Sequence, residues 1–182
     1  MSPRYEIFDP AFAAMIDTAT PPQMIADGCI WTEGPVWLND TLYFNDIPNK
    51  RMMKWQAGQG LSVALGNSEF ANGNTLDRSG RLITCEHAAS RLSRTALRNG
   101  EDAGYAVLAS RFQGRELNSP NDVVVKRDGA IYFTDPLSGR SPYYGIPREA
   151  ELDFCGVYRL DPASDVLRVL VDDFSKPNGL CF

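Results

Sequence analysis

Four residues in this chain carry side-chain oxygens at comparable places: Glu33 in WTEGP, Asn72 in FANGN, Asn121 in SPND and Asn178 in KPNG. One carboxylate with several carboxamide oxygens is a hard-oxygen donor set, suited to Ca²⁺ or Mg²⁺. Zinc is a poor match, because the chain has 1 His and its 4 Cys are scattered. Asparagine ahead of a strand has a second use, since its side chain bonds its own backbone and tolerates unusual φ. Spacing alone does not separate a ligand from such a turn residue. His87, the single histidine, is a candidate general base, although a lone loop histidine is more often a hydrogen-bonding surface residue. A Ser-His-Asp triad would have to use it, yet the sequence holds no GxSxG elbow and no Walker-type or GxGxxG phosphate loop.

The elements that must position these residues are strands. LYFND (42–46), LITCE (82–86) and IYFTD (131–135) are apolar, β-branched or aromatic runs that end on a carboxylate, Asp46, Glu86 and Asp135 in turn. Matching turns, DRSG at 77–80 and KRDG at 126–129, precede the last two. Each run is followed by two more strand-like segments: 51–55 and 61–65, 91–97 and 105–110, 156–161 and 166–171. Four short strands every 40 to 50 residues is the period of a β-propeller blade. The fold expected is therefore all-β, a propeller of about three blades (29–66, 70–111 and 116–173) with the first strand of a fourth at 176–182. Residues 1–28 read as a lead-in with one short helix near 11–16, and 137–154 as a polar and aromatic insertion in the third blade. In this register Asn72, Asn121 and Asn178 coincide and Glu33 falls within about one residue of them, each at the start of an innermost strand. All four are expected at one mouth of the central tunnel. Trp31, Trp37 and Trp55 are expected in blade cores, and Arg51, Arg91 and Arg94 solvated or paired with carboxylates.

Closed propellers need roughly four to eight blades. Three blades and a start leave open edges, which expose unpaired backbone and invite self-association. The expectation is thus the N-terminal part of a longer protein. The net charge of −5, with no offsetting Lys/Arg cluster, repels phosphate backbones and excludes nucleic acid as a partner. No apolar run approaches the roughly 18 residues that span a bilayer. The first residues carry carboxylates and prolines where a signal peptide needs basic residues and an apolar core, so a cytoplasmic location is expected. Cys29, Cys85, Cys155 and Cys181 read as reduced.

Together WTEGPVW, ANGNTLDRSGRLITCEH, NSPNDVVVKRDGAIYFTDP and KPNGLCF resemble the SMP-30/gluconolactonase/LRE family of six-bladed propellers, from about residue 25 to the last. The resemblance implies a divalent-metal-dependent hydrolase, commonly a calcium-dependent lactonase acting on a sugar lactone, with relatives that cleave phosphoester bonds. It matches Glu33 and Asn178 to metal ligands, and Asn121 to an axial residue that contacts metal, substrate or both. Asn72, read here as substrate-binding, and His87 match family-typical motifs without fixed roles. The family's remaining ligand, an aspartate proposed as general base, falls in a later blade, and Asp172 and Asp173 do not correspond to it. The alternative readings are a non-catalytic ligand-binding propeller and a phosphoester-type hydrolase on the same scaffold, and the chain without that aspartate is expected to be inactive alone.

Overall fold

The computed structural model describes residues 5–98 and 101–182, so residues 1–4 of the expected lead-in lie outside the described residues. A one-turn helix, Pro10–Ala13, is the only α-helix among them, with Asp9 Oδ1 accepting from Ala11 N at 2.8 Å. It is shorter than expected and begins one residue sooner, because an Asp cap followed by proline fixes its start. No helix among the described residues is long and apolar enough to cross a membrane.

The rest is built from three four-stranded antiparallel sheets. The first contains β1 (Thr32–Leu38), β2 (Thr41–Asp46), β3 (Arg51–Gln56) and β4 (Gly60–Leu65). The second contains β5 (Ala71–Leu76), β6 (Leu82–Glu86), β7 (Arg91–Arg98) and β8 (Glu101–Ala109). A two-stranded ribbon, β9 (Arg111–Phe112) and β10 (Arg115–Glu116), leads to the third: β11 (Val123–Val125), β12 (Ile131–Asp135), β13 (Cys155–Asp161) and β14 (Val166–Phe174). Every sheet is a meander whose spatial order is its chain order. Short local turns make that topology natural. Asn39 and Asp40, at φ 48° and 57°, form the two-residue turn between β1 and β2 that matches the right-handed strand twist. Asp77 Oδ1 accepts from Ser79 N and Arg81 N, and closes the turn into β6.

The innermost strand of the second sheet, β5, packs between β1 and β11, so the three sheets fan around one side of an axis. Apolar faces meet between them. The second and third sheets share the larger core, in which Ile83, Cys85 and Leu92 join Leu117, Phe133 and Tyr158. Phe133 and Tyr158 stack with ring centroids 5.1 Å apart. Tyr43, Met52 and Leu82 form the smaller core between the first and second. The segment 176–182 is held against the third sheet without ladder pairing, by bonds from Thr134 and to Asp122.

Strand-end carboxylates fasten the loops that enter the sheets. Asp46 Oδ1 accepts from Ile30 N and Trp31 N, while Oδ2 takes Asn49 at 2.7 Å and Arg51 at 3.0 Å. Asp135 accepts from Asn118 N at 2.8 Å and Ser119 N at 2.7 Å. Glu86 instead takes Arg91, Ser93 and the Tyr105 hydroxyl.

Candidate active site at the inner strand entries

Two of the innermost strands begin irregularly, and the irregularity falls on the candidate residues. The β1–β2 register slips between Glu33 and Val36, and the β5–β6 register between Ala71 and Asn74. Such bulges bend a strand and re-aim its side chains. Ahead of β11, Asn121 N donates to Thr134 O at 2.8 Å and Thr134 N to Asp122 O at 3.0 Å.

Hydrogen bonds to main-chain groups then join each entry to the next. Asn45 lies across from Glu33 and donates Nδ2 to Asn72 O at 2.6 Å. Gly73 N donates to Asn121 O at 2.8 Å. Thr134 Oγ1 donates to Asn178 O at 2.7 Å, and Asp122 Oδ2 accepts from Leu180 N at 3.0 Å. The carbonyls of all three asparagines are therefore held by the preceding sheet. Glycine permits this approach. At Gly34, with φ +60°, a Cβ would run into Asn72 O, and at Gly73 it would lie 2.6 Å from Asn121 O. Glu33, Asn72, Asn121 and Asn178 thus form one arc, neighbour to neighbour, at one end of the fan.

Within the arc Glu33 is half-buried and accepts from Trp31 Nε1 at 3.2 Å, Asn72 and Asn121 are buried, and Asn178 is exposed. The two buried side chains do not cap their own turns. Asn72 Nδ2 lies 3.2 Å from His87 Nε2, and Asn121 Nδ2 lies 3.4 Å from Ser138 Oγ, near the outer limit of a hydrogen bond. Among the described residues no three His, Cys, Asp or Glu gather into a metal cluster. A cation held at the arc would take carboxamide oxygens beside the Glu33 carboxylate. That donor set suits Ca²⁺ and supplies part of the roughly six to eight oxygens it needs.

Residues 137–154, which join β12 to β13, cover this end. Arg140 is buried beneath them, bonded to Asn118 O and Leu117 O at 2.8 Å and to Glu116 Oε2. Tyr144 meets Trp31 edge-to-face at 5.5 Å, and Tyr144 O lies 2.9 Å from His87 Nδ1. Arg148 reaches His87 O and Ser90 Oγ. This cover overturns two expectations. His87 is no surface residue: it is 1% exposed, and burial pushes its pKa down to about 4 despite the Tyr144 bond. Trp31 and Trp37 are 47% and 55% exposed rather than blade core, and the ring that Trp31 meets is Tyr144 of the loop. Arg51 and Arg91 pair with the strand-end carboxylates Asp46 and Glu86.

Sequence reasoning missed Asn45 and Thr134, each one residue before a strand-end carboxylate. Their signal was a polar residue inside an otherwise apolar run, in LYFND and IYFTD. Tyr144 and Ser138 were signalled only as members of the polar and aromatic 137–154 insertion, a kind of loop that often covers a binding site.

A family model for the SMP-30/Gluconolactonase/LRE-like region matches residues 31–182. The chain belongs to that family. It is 30% identical over 188 residues to a gluconolactonase of Zymomonas mobilis, covering 95% of this chain and 51% of the relative. A solved gluconolactonase from Xanthomonas campestris superposes with a TM-score of 0.74 at 38% identity, over 81% of this chain and 50% of that one. Regucalcin from Agrobacterium tumefaciens, a calcium-binding protein, shares the fold at 15% identity and a TM-score of 0.60, over 85% of this chain and 47% of its own. The chain spans about half the length of these relatives. The fold is a partial propeller of the kind this family builds, with each four-stranded sheet as one blade.

Proposed function

We propose that this chain carries part of the site of a divalent-metal-dependent sugar lactonase, with Glu33, Asn121 and Asn178 holding the cation and Asn72 and Asn121 contacting substrate. The observation that supports this most is the arc itself: three sheets and the following segment present one oxygen-bearing residue each at one end, each asparagine carbonyl accepting a hydrogen bond from the sheet before it. Family membership and the gluconolactonase relatives support the reaction class.

When bound, Ca²⁺ or another divalent cation supplies Lewis-acid polarisation of the lactone carbonyl and lowers the pKa of the attacking water. The chain's own residues orient and exclude. Trp31 holds the Glu33 carboxylate, while Trp31 and Tyr144 give the entrance an aromatic wall against which the C–H face of a sugar ring can lie. Asp172 and Asp173 are exposed on β14, the strand farthest from β11, and take no part. We read residues 1–28 as a lead-in and the faces bearing Trp37, Leu170 and Phe174, which are exposed, as the surfaces on which self-association would occur.

The test is gluconolactone hydrolysis with Ca²⁺ and with a chelator, beside Glu33→Gln. Chelator-sensitive turnover that falls at least about a hundredfold in the variant is the expected result. Turnover indifferent to chelation would remove the metal from the account. Ca²⁺ binding without turnover would fit the ligand-binding alternative or a lactonase site that lacks its aspartate, and a lactone-binding assay with the bound ion separates them.

A further inference from the structure

The geometry points to His87 as a positioning residue: it holds the Asn72 carboxamide by its nitrogen, so that Oδ1 is the atom offered to substrate. This rests on reading the arc as the site. It goes further, by giving Asn72 a polarity and His87 a role.

The assignment follows from which partner can do what. Tyr144 O is a carbonyl and can only accept, so the contact at 2.9 Å requires the proton on Nδ1. Burial keeps the ring neutral, which leaves Nε2 with a lone pair. An acceptor at Nε2 must face a donor, and the atom 3.2 Å away is therefore Asn72 Nδ2. The carboxamide oxygen then points away from the imidazole. Asn72 Oδ1 accepts no bond from the described residues and is not among the sealed, unpartnered polar atoms, so it reaches solvent. Asn121 repeats the pattern more weakly, its Nδ2 directed at Ser138 Oγ. In both cases the partner is in the 137–154 loop or is fixed by it: Ser138 belongs to the loop, and His87 is bound by Tyr144 O and by Arg148 at its own carbonyl.

An oxygen offered in this way accepts from a hydroxyl. Asn72 would therefore recognise a donor O–H on the substrate, as a polyhydroxylated sugar lactone provides and a plain alkyl lactone does not. A site built to bond a hydroxyl discriminates strongly against an analogue that lacks it. His87 does not touch the reacting atoms and acts through Asn72.

Because His87 is the single histidine, a ¹⁵N-histidine-labelled chain gives one imidazole pair in a nitrogen-resolved NMR spectrum. The expected spectrum at neutral pH is the Nδ1–H tautomer with Nε2 hydrogen-bonded. Asn72→Asp, which replaces the donor with an acceptor, is expected to convert the ring to the doubly protonated form. An Nε2–H tautomer, a rapidly exchanging mixture, or no response to Asn72→Asp would overturn the assignment. Circular dichroism confirms that each variant folds. In gluconolactone turnover, His87→Leu is expected to raise KM about tenfold and to leave kcat within about threefold, while His87→Gln, whose Oε1 can accept at the same place, restores KM. An equal fall in kcat for both variants would mean a merely structural role. Glu33→Gln separates the two readings. If it leaves Ca²⁺ response and turnover unchanged, the lactonase site is misplaced, whereas the imidazole spectrum still decides what His87 does to Asn72.

Discussion

The first and third sheets treat their strand-end carboxylates alike, and the second does not. Asp46 and Asp135 each take two consecutive backbone N–H groups from the loop that enters their own innermost strand. Glu86, one methylene longer, turns to the outer strands and bonds Arg91, Ser93 and Tyr105. Its entry loop is tied instead by main chain, with His87 N bonded to Phe70 O and Ala88 N to Glu69 O. A cavity of about 270 Å³ lies between the first two sheets, lined by Met52, Leu65, Glu86, Arg91 and Tyr105. His87, the next residue after Glu86, faces Asn72. The second sheet is thus the one whose strand-end carboxylate leaves the entry loop to main-chain bonds.

The comparison breaks most visibly at Asp135. Its carboxyl is fully buried and holds two backbone donors, so Asp135→Ala should lower unfolding stability by about 3–5 kcal/mol in urea titration near pH 4, before the group begins to ionise. Next is Gly73→Ala, in which the added methyl meets Asn121 O and Asp122 Cα; a loss of about 1–3 kcal/mol is expected, with the arc distorted. Glu86→Gln should cost only about 1 kcal/mol, because Arg91 is partly exposed and can return to water. If Glu86→Gln proved as costly as Asp135→Ala, the contrast between the sheets would fail.

A pH titration sharpens the same contrast. Burial raises the Asp46 carboxyl, but the bonds from Asn49, Ile30, Trp31 and Arg51 outweigh it and hold the group below its usual value. Its contribution is present above about pH 4 and is lost as pH falls. At Asp135 burial wins over the bonds from Asn118 and Ser119, and the pKa rises to about 7. Its contribution is therefore full below about pH 4 and is lost as pH rises through about 7. Urea midpoints of Asp135→Asn should accordingly vary less between pH 5 and pH 8 than those of the unaltered chain.

Much of this was legible because it repeats. The three strand-end carboxylates, their turns, and the polar residue at each strand entry lie at fixed offsets in the sequence, and the sheets follow them. What was illegible depends on long-range cover. His87 looked like a surface histidine until a loop 57 residues later placed Tyr144 O over it. Trp31 looked like core, yet the residue that packs it comes from the same loop. The Glu86 exchange was hidden for a different reason: aligned carboxylates look equivalent in sequence, and side-chain length decides where each one reaches.

The central claim is that residues from separate sheets hold one cation, and calorimetric titration of the chain with Ca²⁺ tests it most directly. The account predicts one ion bound with Kd on the order of 10⁻⁴ to 10⁻³ M, weakened about tenfold or more by Glu33→Gln. Identical titrations of the chain and the variant, or no binding by either, would contradict it.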